Sequence, residues 1–362
     1  MAAMGYLGAA LLLRWSTKEA LVLRDWKAAV AIFVQSALMY ISMSAAMMVV
    51  DLICCVAMLS WTYTTFVGGR RFEDKNMEGK IVVVTGSNTG VGLETAREIA
   101  RLGAEVILAC RTPAKAEAAV VNIMKSLSGK AKVSWMRLDL CDFTSVRKFC
   151  DDFKEKYPRL DVLVNNAGMM QHYRRLTKDN YEMTLTANFL GPFLLTQLLL
   201  DHVKKSKDGR IVNVNSSLHH NASSFNFEDP HFENGYEMFK AYANSKLAQL
   251  LATKELQRKM DEEKSDITVV ALNPGNCRTE VTRHMHWLMQ IGDWMTYPVW
   301  LILRKSANQG ASTSVHCATS PEVNGRGGEY FQHCDVIASS DVSHSKDEAR
   351  KLWEFSCKLV KL

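Results

Sequence analysis

The chain has 362 residues, 48% of them hydrophobic and 23% charged, a balance that excludes a disordered tail, a collagen-like repeat and a small disulfide scaffold. At about 150 residues per domain the length allows two units, although one α/β domain can take up most of it. Nine cysteines without a CxxC pair point to a reducing compartment rather than to a disulfide framework or a zinc site. The net charge of +6 is spread among acids along the chain, which fits a solvated surface and no nucleic-acid partner.

After a flank over 1–27, no Asp, Glu, Lys or Arg occurs from Ala28 to Val50, and after Asp51 none occurs until Arg70. At 1.5 Å per residue the first run reaches about 35 Å as a helix, enough for a hydrocarbon core of about 30 Å. Residues 28–69 are therefore expected to anchor the chain in a membrane. The run is too long and begins too late for a cleavable signal peptide. Cys54 and Cys55 read as lipid-facing apolar fillers. Arg14, Lys18, Arg24 and Lys27 precede the run, and Arg70, Arg71, Lys75 and Lys80 follow it. Positive charges prefer the cytoplasmic side, so a hairpin turning near Asp51, with both ends cytosolic, stands beside a single span.

A polar linker over 70–78 leads to a second region, 79–362, with βαβ grammar. Strands are expected at Ile81–Thr85, Val106–Ala109, Val133–Leu138, Asp161–Val164, Arg210–Asn215, Ile267–Leu272 and Gly328–Gln332. Between them, helices are expected at Glu94–Leu102, Ala114–Leu127, Ser145–Tyr157, Leu176–Val203 and Tyr242–Met260, with a mostly helical stretch running to about Ser320. Such an order folds as a doubly wound parallel sheet.

The first strand runs into Thr85-Gly86-Ser87-Asn88-Thr89-Gly90-Val91-Gly92. Gly86 permits a tight turn, Gly90 lets the backbone approach a pyrophosphate, and Gly92 allows close helix packing beside an N-terminus rich in amide donors. At the end of the second strand an acid would bind a ribose 2′-hydroxyl and a base a 2′-phosphate. The residue is Arg111 and no acid follows until Glu117, which favours the phosphorylated dinucleotide. Tyr242 and Lys246 are four residues apart and share a helix face. An ammonium there stabilises a phenolate and brings a phenol of pKa near 10 towards the working range. Ser217 follows a buried strand, where its hydroxyl could hold a carbonyl oxygen, and Asn188 lies in an apolar helix, where a buried amide needs partners.

With these motifs, the sequence resembles the short-chain dehydrogenase/reductase family from about Gly79 to the C-terminus. The resemblance rests on the glycine turn, Asn165-Asn166-Ala167-Gly168, Asn188, Ser217, Tyr242 with Lys246, and Pro274-Gly275. Ala109-Cys110-Arg111, Leu138-Asp139-Leu140 and Gly327-Gly328-Glu329-Tyr330-Phe331 are similar to the retinol-dehydrogenase branch, which includes the dehydrogenase domain of a WW-domain oxidoreductase. The resemblance implies a Rossmann-type doubly wound sheet flanked by helices behind an N-terminal membrane anchor. It further implies NADP(H)-dependent hydride transfer to or from a lipophilic carbonyl or alcohol, retinal or retinol above all. A steroid, a fatty aldehyde or a ketone would satisfy the same physics, and a silent cofactor-binding scaffold is the reading from another class.

On this resemblance Tyr242 is the general acid or base, Lys246 lowers its pKa and binds the nicotinamide ribose, Ser217 orients the carbonyl, and Asn188 supports a relay water. Gly86, Ser87, Asn88, Gly90, Val91 and Gly92 hold the pyrophosphate. Arg111, Asp139 and Leu140 meet the adenosine end, with Asn166, Ala167 and Gly168 on that side of the cleft. Pro274, Gly275 and Thr279 hold the nicotinamide end. The expected partners are a lipophilic small molecule and membrane lipid, with a homodimer as an allowed assembly. The expected location is the endoplasmic reticulum membrane with the catalytic domain in the cytosol, a lipid droplet or mitochondrial membrane being the alternative. The sequon Asn221-Ala222-Ser223 would be glycosylated only in a lumenal domain. Two features depart from the pattern: Asn215 before Ser216-Ser217, and a long insertion, Leu218–Ala241. His219, His220, His231, Glu228 and Asp229 in that insertion repeat no ligand spacing, so no metal is expected, and Cys277 reads as a packing residue. The insertion and the apolar, aromatic stretch Glu280–Arg304 are the expected substrate walls.

Overall fold

The computed structural model describes residues 26–62, 75–277 and 305–362; Thr279 and the stretch Glu280–Arg304 lie outside the described residues. Two units are distinct, one containing helix α1 (Trp26–Thr62) and the other the rest of the chain. Helix α1 contains no Gly or Pro, the residues that would break it. It runs unbroken through Asp51, the course that the single-span alternative expects rather than the hairpin. Its 37 residues extend about 56 Å at 1.5 Å per residue. Val34–Val56, with mean hydropathy 2.0, is long and apolar enough to cross a bilayer.

In the second unit, eight strands lie in the order β3-β2-β1-β4-β5-β6-β7-β8. They are β1 (Ile81–Thr85), β2 (Glu105–Cys110), β3 (Lys132–Arg137), β4 (Val162–Asn165), β5 (Arg210–Val214), β6 (Thr268–Asn273), β7 (Tyr330–Gln332) and β8 (Asp335–Val336). All pairs are parallel except the edge pair β7 and β8. Alternate strand residues enter opposite layers, as the pleat requires. Ile81, Val83, Ile107, Leu163, Ile211 and Val269 pack into one core with helices α4 (Phe143–Lys156), α5 (Met183–Lys204), α6 (Met238–Glu262) and α8 (Lys346–Val360). Val82, Val84, Val106, Leu108, Val162, Val212 and Val270 pack into the other with α2 (Gly90–Arg101), α3 (Pro113–Ser126) and α7 (Ala307–Thr319). The order reverses between β1 and β4, and a crevice opens there beyond the carboxyl ends of the strands, where such sheets bind ligands.

Helix α5 begins seven residues later than Leu176, the start expected from the apolar pattern. Leu176 pairs with Glu182 in an antiparallel bridge around a turn in which Asn180 has φ +62°, a conformation an α-helix excludes. The Glu182 carboxylate accepts from the amides of Thr184 (2.8 Å) and Leu185 (2.6 Å) and starts the helix there. Directly after Leu185, Thr186–Leu190 form a π-helical turn that contains Asn188. Helix α6 starts at Met238, four residues before the expected Tyr242. The antiparallel β8 and helix α8 were not among the expected elements. Ser345, which caps α8 by accepting from the Glu348 amide (3.3 Å), is a start signal legible in the sequence.

Candidate active site

The turn after β1 is shaped by the loop after β4. Gly86 and Gly90 take φ of +63° and +60°, which side-chain-bearing residues rarely adopt. A Cβ on Gly86 would lie 2.9 Å from Ala167, and one on Gly92 would run into the Asn166 amide. That amide donates to the carbonyl of Thr85 at 2.8 Å. In return, Thr85 Oγ1 accepts the backbone amides of Asn166 and Ala167, each at 3.0 Å. Asn88, Thr89, Gly90, Val91 and Gly92 then border a cleft of about 580 Å³. Thr89 at the head of α2 makes no side-chain cap, and the first turn carries no acid. The amide donors and positive potential of this helix end therefore suit a pyrophosphate. Ser87 does not belong to this set. It is fully buried, and its hydroxyl donates inward to the Val84 carbonyl at 2.8 Å, so its side chain supports the turn from beneath.

At the next strand end, Arg111, Thr112, Lys115, Asp139, Leu140 and Cys141 line the same cleft. Asp139 Oδ1 accepts the Cys141 amide at 3.0 Å and so fixes this rim. Thr112, the residue before α3, makes no side-chain cap, and no acid occupies the first turn of that helix. Lys115 stands in that turn, where a cation opposes the helix dipole. Thr112 and Lys115 were not singled out from the sequence, although a base four residues after Arg111 on a helix start was a readable signal. Among the described residues neither Arg111 nor Lys115 forms an ion pair.

The far end of the cleft holds Gly168, Ser216, Ser217, Tyr242, Lys246, Asn273, Pro274, Gly275 and Asn276. Gly275 has φ +87° and donates its amide to Asn273 Oδ1 at 3.1 Å, which closes the turn after β6. Tyr242 and Lys246 are both buried, 8% and 2% exposed. Lys246 Nζ is 5.8 Å from the centre of the Tyr242 ring and donates to the Val214 carbonyl at 2.9 Å. The expected lowering of the phenol pKa is absent in this arrangement. Burial pushes the Tyr242 phenol up to about 12, against a smaller opposing effect of its hydrogen bond with Ser216. Burial brings the Lys246 amine down to about 7. Removing water disfavours both charged forms, and the amine faces a backbone carbonyl rather than the phenol.

The serine in contact with the phenol is Ser216, not Ser217. Ser217 opens the short 3-10 turn Ser217–Asn221 and its side chain is exposed at the rim. The expected role therefore moves one residue earlier, because β5 ends at Val214 and the chain turns directly after it. His219, which is fully buried, fixes this turn. Its Nδ1 lies 2.7 Å from the Ser216 carbonyl and its Nε2 accepts the Ser340 amide at 3.1 Å. A neutral ring with the proton on Nδ1 satisfies both bonds, and burial holds its pKa down to about 4.

Asn188 is fully buried and its amide is committed within the protein. Oδ1 accepts the Met169 amide at 2.8 Å, and Nδ2 donates to the Met169 carbonyl (2.9 Å) and to Ser245 Oγ (3.0 Å). The side chain therefore clamps the loop after β4 to α6, and it has no spare donor for a relay water. In the insertion, Met238 joins Met170 and Tyr242 in a small apolar cluster with Leu218 and Tyr236 at its edge. Asp229 caps a local turn, accepting the amides of Glu233 (2.8 Å) and Asn234 (2.9 Å), and His231 Nδ1 accepts the Glu182 amide at 3.3 Å.

A family model described as short chain dehydrogenase matches residues 80–287. Retinol dehydrogenase 14 of Homo sapiens is 40% identical over 298 residues, covering 79% of this chain and 88% of that protein. Retinol dehydrogenase 12 of Mus musculus is 38% identical over 295 residues, covering 82% and 90%. Among solved structures, an uncharacterised protein from Mycobacterium paratuberculosis superposes with a TM-score of 0.64 at 32% identity, covering 79% of this chain and 95% of its own. A short chain dehydrogenase from Shigella flexneri, solved with NADP, shares the fold with a TM-score of 0.57 at 23% identity, covering 73% of this chain and 100% of its own.

Proposed function

The chain belongs to the short chain dehydrogenase family, as an oxidoreductase acting on CH–OH or C=O groups with a nicotinamide cofactor, and from that membership we propose an NADPH-dependent reductase of lipophilic, retinal-like carbonyls. The observation that carries this reading is the buried Tyr242 phenol, which faces the Ser216 side chain and is set among Met170, Met238 and Leu218. When bound, the dinucleotide supplies the hydride. Tyr242 donates its proton to the oxygen of the reduced carbonyl, and its raised pKa keeps that proton in place until it is needed. The Ser216 hydroxyl orients the carbonyl oxygen. Lys246 contributes positive charge beside the phenol and a donor for the ribose. The apolar cluster excludes water and accepts an alkyl or polyene chain. The names of the relatives, retinol dehydrogenases, support a retinoid.

The choice of NADPH rests on Arg111 and Lys115 at the uncapped start of α3, two cations beside a helix end without an acid. A 2′-phosphate would make charge-assisted bonds with both, each worth about 1.5–3 kcal/mol. Arg111→Asp combined with Lys115→Ala should lower the NADPH-to-NADH ratio of kcat/KM by at least about 100-fold. Equal use of both cofactors by the unaltered protein would overturn the reading.

We also assign α1 as a single membrane span carrying the catalytic unit on the cytosolic face of the endoplasmic reticulum. Cys110, Cys150 and Cys317 are buried thiols in no disulfide, as a reducing compartment requires. Asn221 is exposed and should remain unglycosylated, with the domain digested when protease is added to intact microsomes. A protected, glycosylated domain would place it in the lumen.

A further inference from the structure

Behind Lys246 and Asn215, which line the cleft, lies a side chain that the reaction as described does not use. Gln249 lies one turn after Lys246 on α6 and is 4% exposed. Its Oε1 accepts from Lys246 Nζ at 3.4 Å and from Asn215 Nδ2 at 3.1 Å. Both neighbours are donors, so the atom facing them has to be the oxygen. Its Nε2 is buried without a partner, an unfavourable state that the oxygen's two bonds offset. Asn215 is committed on every side: Nδ2 also donates to the Lys246 carbonyl at 2.8 Å, and Oδ1 accepts the Ser216 amide at 2.8 Å. One amide thus ties the serine, the lysine backbone and the glutamine together.

We propose that Gln249 is a positioning residue: held by Asn215, it seats the Lys246 ammonium against the end of β5 and so sets the pH range in which Tyr242 exchanges its proton. The inference rests on the Tyr242 and Lys246 roles given above. A buried ammonium persists only where acceptors replace its water, and Lys246 has two, the Val214 carbonyl and Gln249 Oε1. Among the described residues the amine faces the Val214 carbonyl at the β5 end, Gln249, and Gly168 after β4 with Asn188 beside it, and none of them titrates. On α6 itself the only titratable neighbour is Tyr242, with Tyr330 of β7 behind it. Among the described residues the charge on Lys246 is therefore tuned by the two oxygens and by no carboxylate.

The test is the pH profile of kcat/KM for carbonyl reduction by the full-length protein with NADPH, read on its alkaline limb. Gln249→Met keeps the length and removes the acceptor, so the limb should move down by about one pH unit. Gln249→Glu keeps the acceptor and adds charge, so the limb should move up. Opposite shifts identify the amine, because a limb belonging to the phenol would rise in both variants. Asn215→Ser releases Gln249 without altering it and should move the limb down. It decides the matter if the glutamine variants do not fold. Profiles that coincide with the unaltered protein, or that all move together, overturn the proposal. Full activity of Tyr242→Phe would instead overturn the reading on which it rests.

Discussion

Tyr242→Phe should reduce turnover by about 10²- to 10⁴-fold, the usual worth of a positioned general acid, while binding of NADPH, followed by its fluorescence, persists. The substitution removes only the hydroxyl on the Ser216 side and keeps the ring that packs with Met170 and Met238, so the fold and the cofactor cleft are retained. More than about a tenth of the original activity would contradict the assignment. Loss of cofactor binding together with turnover would show that the phenol acts mainly by shaping the cleft.

Ser216→Ala should cost about 10²-fold or more in kcat/KM, and Ser217→Ala less than about threefold. Ser216 supplies the hydroxyl at the phenol, and removing it leaves the carbonyl oxygen one donor short in a buried site, a loss of about 2–3 kcal/mol. The exposed Ser217 side chain gives up nothing comparable. Parallel kinetics of the two variants on one lipophilic aldehyde settle the assignment, and the reverse order would restore Ser217.

The difference between those serines shows where the sequence was readable. Strands β1, β2 and β4–β6 announce themselves because both faces are buried and their residues form near-continuous apolar runs. The glycine turn and the Tyr242–Lys246 spacing are local in the chain, so they too were legible. Ser216 and Ser217 are adjacent and chemically identical, and only the direction of the chain after β5 tells them apart. The fate of Asn188 was hidden for a similar reason. A π-helical turn rotates it out of regular helical phase, and its partners, Met169 and Ser245, come from two other segments. The reversal at Asn180 and the short β8 depend on tertiary pairing and carry little local signal, whereas the Ser345 cap is a local signal in the sequence.

The interlock between Asn166 and the turn after β1 bears on how this cleft could be redesigned. Gly86, Gly92 and the Asn166-Ala167 pair form one unit fitted across two strands, so a glycine loop grafted alone from another protein would arrive without its mould. The end of β2 is different: Arg111 and Lys115 belong to a contiguous stretch with no side-chain partner in that mould. Altered cofactor choice is thus open to a short local exchange, while the pyrophosphate turn can be transplanted only together with a segment 80 residues away.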